Sequence, residues 1–133
     1  MKLELGYAEM VRRAEAEIET LTPTEALRRQ QEAEAVIIDL RDIRELQREG
    51  RIPGSVNVPR GMLEFWVDPD SPYHKEIFAS GRPFIFHCSK GWRSALSTQT
   101  VQAMGLPHVS HIGGGFEAWK DAGLGIEALP EKK

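Results

Sequence analysis

Three short apolar runs, Val36-Ile37-Ile38-Asp39-Leu40, Pro83-Phe84-Ile85-Phe86-His87 and Val109-Ser110-His111-Ile112, constrain the fold of this chain more than any other feature. The first is β-branched and too apolar for a half-exposed edge, so it reads as a strand of a buried parallel sheet, and the second reads as another. Helix signals fill the intervals. Thr22-Pro23-Thr24-Glu25 supplies an N-cap, a first-turn proline and a carboxylate three residues on, which predicts a helix to about Glu32. Asp42-Ile43-Arg44-Glu45 repeats the capping pattern, and Gly50 closes that helix. Ser94 to Met104 reads as a helix ended by Gly105, and Gly113-Gly114-Gly115 turns the chain into a last helix, Phe116 to Ala122. Strands alternating with helices imply an α/β fold: a parallel sheet flanked by helices on both faces.

An N-terminal stripe precedes this unit. From Tyr7, apolar residues recur at Met10, Val11, Ala14, Ile18 and Leu21 with charged residues between them, which predicts an amphipathic helix. Such a stripe packs on its own domain's core, or serves dimerisation or partner docking. The expected organisation is a helical extension over residues 1–21, a domain over 22–126 and a tail over 127–133. The stretch from Gly61 to Ser80, with Phe65, Trp66 and Tyr73, is the least regular.

Bulk properties narrow the function. A length of 133 residues suits one domain, and 28% charged with 41% hydrophobic residues suits a soluble globular one. No apolar run approaches the roughly 18 residues of a membrane span, and Met1-Lys2-Leu3-Glu4-Leu5-Gly6 lacks the pattern of a secretory signal. The single cysteine forms no internal disulfide, which fits a reducing, cytoplasmic setting. A net charge of −3 with dispersed basic residues argues against a nucleic-acid partner.

That cysteine carries the chemistry. Cys88 ends the second apolar run and is followed by Ser89-Lys90-Gly91-Trp92-Arg93-Ser94, a cationic glycine-containing turn leading into a helix. In open α/β sheets, sites form beyond the carboxyl ends of strands. Inward-pointing amides of Ser89 to Arg93, the helix's positive end, Lys90 and Arg93 are the surroundings that favour a thiolate nucleophile. The alternative is a buried structural thiol.

Cys88-Ser89-Lys90-Gly91-Trp92-Arg93-Ser94 resembles the active loop of the rhodanese family of sulfurtransferases. Val36 to Arg41 is similar to that family's first strand with its Asp-hydrophobic-Arg ending, and Ile52 to Pro59 to the ensuing turn. Gly113, Gly114, Phe116, Trp119 and Gly123 resemble its C-terminal glycine-aromatic signature. Arg51 stands where the family often has a histidine. The resemblance implies a rhodanese-like sheet and a two-step exchange: Cys88 takes a sulfane sulfur from a small anionic donor such as thiosulfate, then yields it to cyanide or a thiol. Ser89, Lys90, Gly91, Trp92, Arg93 and Ser94 would bind the donor. No metal or organic cofactor is implied, and the acceptor could also be a protein. A non-turnover persulfide carrier is the alternative from another class. The phosphate loop of tyrosine phosphatases is also similar, but it has five residues between cysteine and arginine where this chain has four.

Other residues invite two readings each. Arg93 either binds substrate or braces the loop against a carboxylate. Trp92 is core, rim or docking spot, with an exposed rim preferred. His87 suggests a general base, yet neighbouring strand residues face opposite sides, which favours a histidine bonded elsewhere. Asp39 and Arg41, two apart, suit a structural ion pair. His108 and His111 fall on opposite strand faces, against a shared metal.

Overall fold

The computed structural model describes residues 1–130. Its centre is a five-stranded, all-parallel sheet of β1 (Glu19–Leu21), β2 (Val36–Asp39), β3 (Val56–Asn57), β4 (Phe84–His87) and β5 (Val109–Ile112), in the order β1-β5-β4-β2-β3. Around it lie α1 (Tyr7–Glu17), α2 (Pro23–Glu32), α3 (Ile43–Glu49), α4 (Leu63–Val67), α5 (Trp92–Ala103) and α6 (Gly115–Asp121).

Period-two alternation divides the core between the two faces of the sheet. Ile38, Phe84 and Phe86 pack with Leu63 and Val67 of α4 and Val101 of α5. Ile37, Ile85 and Ile112 point the other way, onto Ala26 of α2 and Phe116 and Trp119 of α6. The three predicted strands are therefore buried on both faces, and this is why their sequences carry apolar residues at consecutive positions. Each such side chain contributes about 1.5–3 kcal/mol of burial free energy.

The capping patterns perform as expected. Thr22 and Glu25 form a reciprocal capping box at α2, as do Asp42 and Glu45 at α3. α5 begins at Trp92, two residues before the expected Ser94, because Gly91 adopts the N-cap position at φ 99.

The N-terminal stripe needs correction. α1 stops at Glu17, and Glu19 to Leu21 form an edge strand in register with Ser110 to Ile112. Ile18, at φ −119 and ψ 162, has already left the helical region. Pro23 disfavours the helical region at Thr22, and the open edge of β5 offers unpaired backbone groups that three extended residues satisfy. The segment 1–21 is thus a helix followed by a sheet strand. Val11 and Ala14 of α1 bury against Ala95 of α5, so the stripe covers the domain's own core.

The expected tail also contributes to the fold. Glu127 forms an antiparallel bridge with Arg51, and their side chains pair at 2.9 Å. Arg51, the departure from the family pattern, anchors this chain end. Residues 131–133 of the tail lie outside the described residues.

Candidate active site

Cys88 directly follows β4 and lines a pocket of about 280 Å³ together with Glu45, Ser89, Lys90, Trp92 and Arg93. The residue as a whole is only 1% exposed, so the pocket is its route to solvent. The amides of Gly91 and Ser94 donate to Cys88 Sγ at 3.2 and 3.4 Å, and Ser94 Oγ stands 3.6 Å away. Gly91 aims its amide inward only from a left-handed backbone, which glycine adopts without steric cost. With the twelve-residue α5 starting immediately beyond, the sulfur sits at a positive helix end.

The loop is also held from beneath. Phe116 N donates to the carbonyl of Cys88 at 2.8 Å, and Glu117 N to that of Ser89 at 3.1 Å. Both donors belong to the first turn of α6. A Cβ on Gly115, at φ 60, would collide with these same two carbonyl oxygens.

The two loop cations differ in role. Arg93 pairs in bidentate fashion with Glu45, Nη1 to Oε2 at 2.9 Å and Nη2 to Oε1 at 3.0 Å, which favours the bracing reading. Arg93 holds the Glu45 carboxyl below its ordinary value, and Glu45 raises the guanidinium in return. Lys90 is exposed and makes no ion pair among the described residues; its Nζ lies 5.5 Å from the Trp92 ring centroid. Trp92 is 48% exposed, lines the pocket and packs against Tyr7 at 5.1 Å between centroids.

Behind the pocket, Asp39 and Arg41 are fully buried and joined by bonds of 3.0 Å from Nε to Oδ1 and 2.9 Å from Nη2 to Oδ2. Burial pushes the Asp39 carboxyl up, but His87 and Arg41 outweigh it and hold the group well below the usual carboxylate range. The Arg41 guanidinium lies 4.1 Å from the centroid of the Phe116 ring, connecting the pair to the helix that seats the cysteine loop. His87 is buried away from the pocket, with Nε2 3.5 Å from Asp39 Oδ2 and Nδ1 3.3 Å from the Cys88 carbonyl. Its place is structural.

The loop residues singled out in the sequence thus converge: Cys88, Ser89, Lys90, Trp92 and Arg93 face the pocket, while Gly91 and Ser94 lie buried beneath the sulfur. Three contributors escaped the sequence reading. Glu45 caps α3 and clamps Arg93 at once, and only its capping role shows in local spacing. Gly115 looks like an ordinary turn glycine until α6 meets the loop. His111, considered only as a metal ligand, instead has Nδ1 2.9 Å from Ser94 Oγ.

The model of the Rhodanese-like domain family matches residues 22–122. The chain belongs to this family. A rhodanese-like relative in Mus musculus, thiosulfate sulfurtransferase/rhodanese-like domain-containing protein 3, is 28% identical over 89 residues, which are 63% of this chain and 57% of the mouse protein. A solved Rhodopseudomonas palustris structure, of a protein of unknown function described as a possible tyrosine phosphatase, is 49% identical with a TM-score of 0.91. The alignment covers 96% of this chain and 98% of that one. Thiosulfate sulfurtransferase from Pseudomonas aeruginosa is 29% identical with a TM-score of 0.71, over 92% of this chain and 22% of that one. The five-stranded parallel sheet with helices on both faces is accordingly the rhodanese-like fold, shared with proteins that carry sulfurtransferase names.

Proposed function

We propose that this rhodanese-like domain transfers a sulfane sulfur from an anionic donor such as thiosulfate to cyanide or a thiol, through a persulfide on Cys88, in the cytoplasm. The observation that carries the reading is the amide cradle: a sulfur receiving N–H bonds from Gly91 and Ser94 in a loop with four residues between Cys88 and Arg93. Cys88 thiolate attacks the outer sulfur of thiosulfate, the S–S bond to the sulfonate breaks, and sulfite leaves with the electron pair. The product is a Cys88 persulfide anion, for which fixed amides are suited donors. Cyanide or a thiolate then attacks the terminal sulfur and restores Cys88 thiolate. Lys90, at the exposed side of the pocket, offsets the charge of the incoming donor and of the departing sulfite.

A cysteine-dependent phosphatase is the second reading, favoured by the likeness to the R. palustris protein. The pocket argues against it. Ester cleavage needs an acid to protonate the leaving alkoxide. Among the described residues the one carboxyl lining the pocket, Glu45, is held ionised by Arg93. The Glu45 clamp also ties up the arginine that a phosphate would need.

Thiocyanate production from thiosulfate and cyanide, measured for the native protein and Cys88→Ser beside hydrolysis of p-nitrophenyl phosphate, tests the reading. Turnover with thiosulfate that vanishes in Cys88→Ser is expected. Turnover of the ester without thiosulfate activity would overturn it, and persulfide loading without turnover would make the protein a carrier.

A further inference from the structure

A file of hydrogen-bonding side chains leads from the open edge of the sheet to the nucleophile. Thr20 is exposed on β1, and its Oγ1 lies 3.1 Å from His111 Nε2. The imidazole, on β5, is 1% exposed and lies with Nδ1 2.9 Å from Ser94 Oγ. Ser94 is fully buried on the first turn of α5, and its hydroxyl lies 3.6 Å from Cys88 Sγ. Gly91 O, 3.3 Å from the same hydroxyl, is the competing acceptor. Both ring nitrogens of His111 are therefore engaged, one toward the surface and one toward the sulfur.

We infer that His111 is a positioning residue that governs the protonation of Cys88, through a relay running Thr20–His111–Ser94–Cys88. The inference rests on the reading of Cys88 as the nucleophile, and it applies to any reaction that needs the thiolate. Hydrogen-bond chemistry allows the chain two directions. With a thiol, S–H donates to Ser94 Oγ, the Ser94 hydroxyl to His111 Nδ1, and His111 Nε2–H to Thr20 Oγ1. With a thiolate, every bond reverses: Thr20 donates to Nε2, Nδ1–H to Ser94 Oγ, and the Ser94 hydroxyl to the sulfur.

Passing between these states moves one proton along each link. The thiol proton goes to Ser94 Oγ, that of Ser94 to Nδ1, that of Nε2 to Thr20, and that of Thr20 to water. No heavy-atom bond changes, and the imidazole remains neutral throughout, exchanging one tautomer for the other. Neutrality is what its site enforces, since burial pulls His111 down to about 4. The surrounding groups fit a neutral switch. Its bonded partners are hydroxyls from β1 and α5, and Phe86 of β4 is its register neighbour. The charged groups belong to other elements: Lys90 of the loop, Arg93 of α5 and Glu45 of α3 line the pocket with Cys88, and Asp39 of β2 lies beside the titratable His87 of β4.

Nitrogen-15 NMR of the histidine-labelled native protein tests the relay, run between pH 5 and 9 beside a profile of Cys88 alkylation by iodoacetamide. His111 is expected to pass from the Nε2–H to the Nδ1–H tautomer over the pH range in which Cys88 becomes reactive, and to hold one tautomer in Cys88→Ala. A ring that keeps one tautomer across the native titration would overturn the proposal. At pH 6.5, His111→Val is expected to alkylate about tenfold more slowly, the value of one hydrogen bond to a charged group. His111→Asn, which keeps an amide donor in the place of Nδ1–H, is expected to recover most of that loss. Native-rate alkylation in a folded His111→Val would also overturn it, and if that variant does not fold, the tautomer of the native protein decides. Neither readout measures sulfur turnover, so failure of the relay and failure of the sulfurtransferase reading are distinguishable.

Discussion

The backbone amide of Phe116 donates to the carbonyl of Cys88 at 2.8 Å. Through this bond the first turn of α6 fixes the direction of the peptide that launches the cysteine loop, and Gly115 has no side chain that would keep the two backbones apart. The Phe116 ring in turn lies on the Arg41 guanidinium, so the buried ion pair, the glycine turn and the cysteine loop form one packed unit.

Gly115→Ala is expected to disable this unit. A left-handed alanine alone costs about 1–2 kcal/mol, and here the Cβ also meets two backbone oxygens that cannot rotate away. Gly123→Ala is the control, because Gly123 is also left-handed, at φ 73, but has open space around its Cα. Urea unfolding should give about 1 kcal/mol for Gly123→Ala and clearly more for Gly115→Ala, with sulfur transfer lost only in the latter. Equal stability losses would show that the close approach to Cys88 carries no energetic weight.

Asp39→Ala removes the bidentate carboxylate from a fully buried guanidinium, leaving it the longer 3.5 Å contact with Glu49, and unfolding free energy should fall by about 3–5 kcal/mol. Adding Arg41→Met removes the stranded charge and should restore a substantial part of the loss. A double variant as unstable as the single one would show that Asp39 acts mainly through Arg41-independent contacts, such as that with His87.

Glu45→Gln keeps a capping side chain for α3 while removing the pocket's carboxylate charge. The KM for thiosulfate should fall about three- to tenfold at low salt, since Arg93 is then free to attract the anion. Steady-state kinetics check this. A fall in kcat with no fall in KM would mean that the clamp's service is to hold Arg93 still.

Acid should weaken the fold through His111. Its native value of about 4 lies below the ordinary histidine value, so the unfolded chain binds a proton first as pH falls. The associated stability is complete above about pH 6.5 and is lost progressively toward pH 4, by up to ~3 kcal/mol. Urea titrations of the native protein and His111→Asn across this range should differ in slope, with the variant flatter. Parallel slopes would place the acid sensitivity elsewhere.

Much of the fold was legible because its signals are local. Thr22 with Glu25 and Asp42 with Glu45 start helices through contacts three residues apart, and the strands announce themselves by consecutive apolar residues. β1 was hidden for the opposite reason: Glu19-Thr20-Leu21 carries no strong strand preference, and the edge of β5 alone makes it extended.

The same division runs through the site. By itself, the sequence determined the cysteine at the end of β4, the spacing of its loop and the glycine whose left-handed backbone turns its own N–H toward the sulfur, because these depend on neighbours along the chain. Tertiary structure alone decided that Arg93 meets Glu45, 48 residues away, that Gly115 lies under Cys88, and that His111 reaches Ser94. Such contacts join elements whose mutual placement follows from packing both faces of the sheet, and no short-range pattern encodes them.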